Sequence, residues 1–263
     1  MSTMEFALSV EELAVSLNLI GEARMGHGLM VAQLGAMGQE EARARLLAAG
    51  HTLLARHLLT VGEQGEITLA PTLERTVRAL ANAAFSIRFS RAYRDAELAL
   101  AYHFANSFVV AQWLEGGVVH RIAEVEGAET VVEEGMGFFQ VAEATPFTCP
   151  PLEVPYERLS EVKGESDPMI IRRQVAEMGL EGTAGEMLTE DLSKAEYRGT
   201  ILRVEYGEDR TPYSDRGVLV LRGPERLWLF RILPREGEPS VLILPGAEET
   251  FRREVRRLVG LDT

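Results

Sequence analysis

Leu227-Trp-Leu-Phe-Arg-Ile-Leu233 is apolar on both faces of an extended chain, so the sequence places it as a central strand covered on two sides. Working outward, Thr200–Tyr206, Val218–Leu221 and Ser240–Leu244 read as its companion strands. After Pro245-Gly246, Ala247–Val259 reads as a helix with Phe251, Val255 and Leu258 on its inward stripe. Glu248 and Glu249 sit at its positive end, and Arg252, Arg253, Arg256 and Arg257 lie towards its negative end. This half of the chain is therefore expected to be an antiparallel meander followed by a helix.

An earlier stretch has the same texture. Phe85, Ile87 and Phe89 alternate with Ser86, Arg88 and Ser90, a period of two. Strands are expected near Glu97–Phe104, Ser107–Leu114, Val118–Val125 and Thr130–Glu133, with Gly116-Gly117 as a hairpin turn. The two meanders overlay at a fixed offset of 110 positions. Ser107-Phe-Val-Val110 falls on Gly217-Val-Leu-Val220, Glu115 on Glu225 and Arg121-Ile122 on Arg231-Ile232. Glu126-Gly127 falls on Glu236-Gly237 and Val131 on Val241. The expected fold class is thus α+β, with two related antiparallel β-meander units, helices attached, and a quasi-twofold relation between them.

Residues 1–83 read as helical. Ser9 is an N-cap candidate, with Glu11 and Glu12 in the first turn and Leu13 facing inward. Gly21–Gly38 reads as a loop or irregular helix rich in glycine and methionine. Gln39–Leu59 forms a helix with Ala42, Leu46, Ala49 and Leu53 on one stripe, Glu66–Leu69 a short strand, and Pro71 opens a helix whose buried face is Leu73, Val77 and Leu80. Helix, hairpin, helix is a winged-helix-like layout. Prolines 146, 150, 151, 155 and 168 make 145–168 a connector, because proline neither continues a helix nor sits in a central strand. Helices follow at Pro168–Met178 and Thr183–Glu196. The expected organisation is 1–144, the connector 145–168, and 169–263, packed as one compact domain.

Composition narrows the function. The chain has 263 residues, 46% hydrophobic, and a net charge of −13. An acidic surface repels phosphate backbones and anionic lipid, so neither nucleic acid nor membrane is an expected partner. No apolar run reaches the length of a membrane span and no basic-then-apolar leader opens the sequence. A single cysteine, Cys149, forbids an internal disulfide and fits a reducing, cytoplasmic setting. The winged-helix-like stretch 39–82 carries five arginines and five glutamates, and its hairpin tip Gly62–Glu66 is acidic, where a DNA reader needs excess positive charge.

No catalytic, cofactor or metal site is expected. His51 and His57 are six apart and face different ways on a helix, and His27, His103 and His120 lie in separate segments. Cys149 sits among prolines in extended chain rather than at a helix N-terminus. Met25-Gly-His-Gly28 lacks the third glycine and the preceding strand of a dinucleotide loop. The paired carboxylates at 40–41, 133–134, 190–191 and 248–249 are adjacent and point apart. A hidden enzyme would need dispersed residues such as His103 and His120 to converge. For partner binding, the candidates are Trp113, an aromatic anchor, and Tyr213 and Arg216 in the polar loop Gly207–Gly217.

The order of elements resembles a family. An arginine- and alanine-rich helix ends in Leu58-Leu59, an acidic hairpin spans Gly62–Leu69, and a Pro-started helix follows. The chain closes with Tyr197-Arg-Gly-Thr-Ile-Leu202, Gly217-Val-Leu-Val-Leu221 and Leu244-Pro-Gly-Ala-Glu-Glu249 before a last helix. This layout is similar to that of the EspG-like ESX (type VII) secretion-associated chaperones. The resemblance implies a quasi-twofold α+β fold, a cytosolic chaperone role, no enzymatic activity, and a helical client of the PE–PPE kind. The alternative reading is a winged-helix regulator with a β-rich sensing lobe.

Overall fold

The computed structural model describes residues 5–261 apart from 94, 95, 107, 164, 166, 208, 209 and 236. Ser107 and Glu236, two members of the sequence overlay, therefore lie outside the described residues. The chain divides into two compact units, one of residues 1–85 with 100–127, the other of residues 86–99 with 128–263.

The first unit opens on a strand, β1 (Glu5–Ser9), where helix was expected. Phe6 and Leu8 are buried, and two inward residues were too few to show a period of two. Helix α1 (Val10–Leu19) then starts from the expected cap. Ser9 Oγ accepts from the Glu12 amide at 3.1 Å while Glu12 Oε2 accepts from the Ser9 amide at 2.9 Å, a reciprocal capping box. The stretch expected to be loop or irregular helix is a regular helix, α2 (Ala23–Leu34). Its internal glycines, Gly26 and Gly28, cost about 1 kcal/mol each relative to alanine. Packing offsets that: a Cβ on Gly26 would come within 2.9 Å of the Ala14 carbonyl oxygen, so glycine lets α2 lie directly on α1. Helix α3 (Gln39–Ala55), the hairpin β2 (Leu59–Val61) and β3 (Ile67–Leu69), and α4 (Pro71–Ala81) follow, so helix, hairpin, helix stands. His57 lies beyond the end of α3 with a positive φ.

This unit's sheet joins β1 to β7 (Val119–Val125), β6 (Phe108–Glu115) and β5 (Glu97–Ala105), all antiparallel. Phe6 pairs with Ile122, and Ile122 with Gln112. Leu8, Leu13, Leu53, Leu73, Val77, Val110 and Ile122 form its core.

In the second unit β4 (Phe85–Ala92), β9 (Tyr197–Tyr206), β10 (Pro212–Arg222), β11 (Leu227–Leu233), β12 (Ser240–Pro245) and β8 (Leu152–Pro155) lie in that order. The expected central strand is β11, between β10 and β12, with Trp228 fully buried. Helices α6 (Tyr156–Lys163), α7 (Pro168–Glu177) and α8 (Gly182–Ser193) cover one face, where Leu159, Ile171, Val175 and Leu188 meet Trp228 and Phe230. The next residue, Arg231, points to the other face and pairs there with Glu254 of α9 (Glu248–Val259). α9 packs with α5 (Ala128–Phe138), and Gly135 of α5 leaves room for the Phe89 ring.

Three expectations change here. Thr130–Glu133 belongs to helix α5, not a strand: its β-branched Thr-Val-Val looked extended, but Val131, Val132, Gly135 and Met136 bury one helical face. The proline-rich connector holds β8 and α6. Among the described residues β8 pairs only with β12, which makes it an edge strand, the place where proline is tolerated. The loop Gly207–Gly217 is largely strand, since β10 starts at Pro212 and pairs Tyr213 with Glu205 ahead of a bulge.

The overlay at 110 also shifts, because it sets Val131 of a helix on Val241 of a strand. The recurrence lies in the order of elements. An early strand, a group of helices, four strands and a helix occur as β1, α1–α4, β4–β7, α5, and again as β8, α6–α8, β9–β12, α9. In each case the early strand pairs with the last of its four, β1 with β7 and β8 with β12.

Candidate partner-binding site

The face of the second unit's sheet that carries α6–α8 is not wholly covered. Where those helices end, a cavity of about 280 Å³ opens on the strands. Leu219 and Leu221 of β10, Phe230 of β11 and Thr200 of β9 form its floor, Leu159 of α6 and Leu192 of α8 its wall, and Ser90, Ala92 and Arg198 its margin. Alternation along β9 sends Arg198, Thr200 and Leu202 to this face. Gly199 lies between them, and a Cβ there would overlap the Ser90 carbonyl, so glycine brings β9 close to β4.

Among the described residues the lining holds no carboxylate, histidine or cysteine. Its two hydroxyls, Ser90 Oγ and Thr200 Oγ1, are 2.8 Å apart and bonded to each other. The pocket can therefore exclude water from an apolar group and offers no nucleophile with an adjacent base.

The carboxylates with the strongest partners have structural roles. Asp191 is fully buried and accepts from Arg226 Nε at 2.8 Å and from Trp228 Nε1 at 2.8 Å. Glu254, also fully buried, pairs with Arg231 and Arg257. Burial pushes the Cys149 thiol up, the opposite of what a nucleophile needs. Among the described residues no group of three or more metal-ligating side chains is brought together.

His103 and His120 do come close, through an intermediary. His103 Nε2 lies 3.0 Å from Gln112 Oε1, and Gln112 Nε2 lies 3.1 Å from His120 Nδ1. Both rings are buried on the helix-facing side of the first unit's sheet. In the winged-helix-like stretch four of five arginines are engaged: Arg45 with Glu11 and Glu41, Arg56 with Glu12, Arg75 with Glu124, and Arg78 with Glu74.

None of the three residues expected to touch a partner lines the pocket. Trp113 is half-buried on β6, an inner strand of the first unit, between Leu100 and Arg121. Tyr213 is 52% exposed and donates from its hydroxyl to Glu205. Arg216 is exposed beside Asp215 and pairs in register with Arg203, which reaches the Leu258 carbonyl on the α9 side. The pocket escaped sequence reading because six elements contribute to it. Its one local trace is the mixed polar and apolar run Arg198, Thr200, Leu202 on a single strand face.

An α+β protein in which helices cover antiparallel strands twice over, in the same order, is the class these features define. The chain belongs to the family described as "Uncharacterised protein YfjC", whose model matches residues 5–239. No curated protein matches it. Among solved structures it is similar to the Mycobacterium tuberculosis type VII secretion system chaperone EspG5 in complex with a PE25–PPE41 dimer. That match has a TM-score of 0.70 and covers 99% of this chain and 96% of that one at 12% identity. At such identity the likeness is one of fold, and at that level the EspG-like layout read in the sequence holds. Among the described residues no helix is long and apolar enough to cross a membrane.

Proposed function

We propose that this chain is a cytoplasmic, non-enzymatic protein-binding module that holds an apolar patch of a helical client, in the manner of a type VII secretion chaperone. The observation that carries this reading is the open pocket bounded by Leu159, Leu192, Leu219 and Phe230, apolar throughout its floor except Thr200 and without a reactive group. Such a pocket takes the aliphatic or aromatic side chain that anchors an interface. The fold likeness to a chaperone solved with a PE25–PPE41 dimer supports a small, helical, PE/PPE-like client. Tyr213 and Arg216 are proposed as a second polar contact, and Trp113 as an anchor in the other unit.

The test is co-purification and calorimetry of the full chain with small helical proteins encoded beside its gene. A one-to-one complex is expected, weakened at least about tenfold by Leu219→Glu, which places a charge on the pocket floor. The reading fails if no such protein forms a stoichiometric complex, or if Leu219→Glu binds as tightly as the parent chain.

A further inference from the structure

Arg226 and Arg252 of the second unit each hold two carboxylates, Asp191 and Glu190 in one case, Glu133 and Glu248 in the other. On the side of the sheet that carries α9 the balance reverses. Glu254 is fully buried and stands among three arginines, Arg231, Arg253 and Arg257. Nearby, Arg203 and Arg216 face each other in register across β9 and β10, a juxtaposition of like charge that costs stability. Glu205 answers Arg203 at 2.9 Å, and Asp215 lies 3.8 Å from Arg216. Five arginines thus meet three carboxylates among the described residues, in a chain whose net charge is −13.

The oxygens of the two inner carboxylates are already used. Both oxygens of Glu254 accept from Arg231, and Oε2 also accepts from Arg257 Nε at 3.2 Å. Glu205 accepts from Arg203 through Oε1 and from the Tyr213 hydroxyl through Oε2 at 3.1 Å. Arg257 Nη2 is buried with no hydrogen bond among the described residues. A guanidinium carries five N–H donors and meets a carboxylate two at a time, so this group is short of acceptors as well as of negative charge. Burial pushes the Arg257 guanidinium below its ordinary value, and the charges of Arg231 and Arg216 add to that against the pull of Glu254. The cluster reaches the surface, for Tyr213 and Arg216 are exposed and the Arg257 side chain is 31% exposed.

What completes such a cluster is one more carboxylate. A long polyanion is disfavoured because the rest of the surface repels it, whereas a short acidic segment meets the local excess of positive charge first. The planar fork of arginine suits the carboxylate of Asp or Glu, and the exposed Tyr213 ring offers an apolar contact to the chain that bears it.

We propose that Arg216, Arg257 and Tyr213 form a docking site for a short acidic segment of a protein partner, one carboxylate of which seats against both arginines. The inference rests on the reading of the chain as a protein-binding module and adds a charge requirement on the partner. The probe is hexaglutamate, titrated into the full chain by calorimetry at low salt, with the arginine Nε–H resonances followed by NMR. Saturable binding is expected, shifting the Arg216 and Arg257 signals, weakening with added salt, and at least about tenfold weaker in Arg216→Glu. No saturation by about 1 mM, or unchanged affinity in Arg216→Glu, would overturn the proposal. So would shifts confined to other arginines in the parent chain, a criterion that does not depend on the variant folding. Phosphatidylserine vesicles or heparin engaging these arginines when hexaglutamate does not would overturn it as well. No client is present in this experiment, so its failure and that of the Leu219→Glu test are read separately.

Discussion

Replacing Asp191 by alanine should destabilise the second unit by about 4 kcal/mol. The carboxylate is fully buried and receives three hydrogen bonds, from Arg226 Nε at 2.8 Å, Arg226 Nη2 at 3.2 Å and Trp228 Nε1 at 2.8 Å. Removing it strands the indole N–H, worth about 1–3 kcal/mol. It also strands a mostly buried guanidinium, for which about 3–5 kcal/mol is usual. The lower end applies, because Arg226 Nη2 keeps Glu190 at 2.8 Å. Gly223 supplies an independent route to the same damage. A Cβ at that position would overlap the Asp191 carboxylate and expel it, so Gly223→Ala should cost a similar amount. In the Asp191→Ala background the carboxylate is gone but the Cβ of residue 191 still lies 2.6 Å from the new methyl, so Gly223→Ala keeps part of its cost and the two effects sum to less than additive. The chain has two tryptophans, and Trp113 and Trp228 fall in different units. Urea unfolding followed by fluorescence in a Trp113→Phe background therefore reports on the second unit alone, and the midpoint should fall by more than about 1 M. A loss below about 1 kcal/mol for Asp191→Ala, or additive effects in the double variant, would refute the argument.

Three further outcomes are expected. Because burial depresses the His120 pKa, the unfolded chain takes up its proton first as pH falls through about 6.5. Stability should therefore be full above that pH and decline below it by up to about 1.4 kcal/mol per pH unit until the folded value is reached; denaturation curves across pH 5–7 check this, and His120→Gln should remove that component. The raised Cys149 pKa means less thiolate at pH 8 than in free cysteine, so its reaction with a disulfide reagent should be several-fold slower than that of a model thiol, and should accelerate on unfolding. Tyr197→Phe removes a buried hydroxyl that donates to the Phe139 carbonyl and should cost about 1–2 kcal/mol in the same urea assay, with little change in the fold.

Much of the fold was legible where one residue type dominates a local decision. Ser9 with Glu12 marked the first helix, Pro71 the fourth, and Leu227–Leu233, apolar but for Arg231, the strand between two neighbours. What escaped depends on distant contacts. β1 is a strand because β7 receives it, and α2 is a helix because Gly26 lets it rest on Ala14. β8 is permitted its prolines by its place at an edge. The overlay of the meanders matched strand texture one element out of step, since every strand of a meander alternates alike. The structural recurrence is longer, with α5 starting at Ala128 and α9 at Glu248, 120 positions on. The candidate pocket was invisible for the same reason: no single segment contains it.

The pairing of β1 with β7 has a consequence for synthesis. Glu5–Ser9 is synthesised long before the strand it pairs with, Val119–Val125. Four helices must emerge with their apolar stripes unroofed before that partner exists, and closing so distant a contact is slow. The same delay recurs when Leu152–Pro155 waits for Ser240–Pro245. Neither unit is a contiguous stretch, because residues 86–99 leave the first for the second and the chain then returns at Leu100. A fragment ending near residue 85 is therefore an unfinished fold with its opening strand unpaired, and the nascent chain passes twice through a stage at which it needs protection itself.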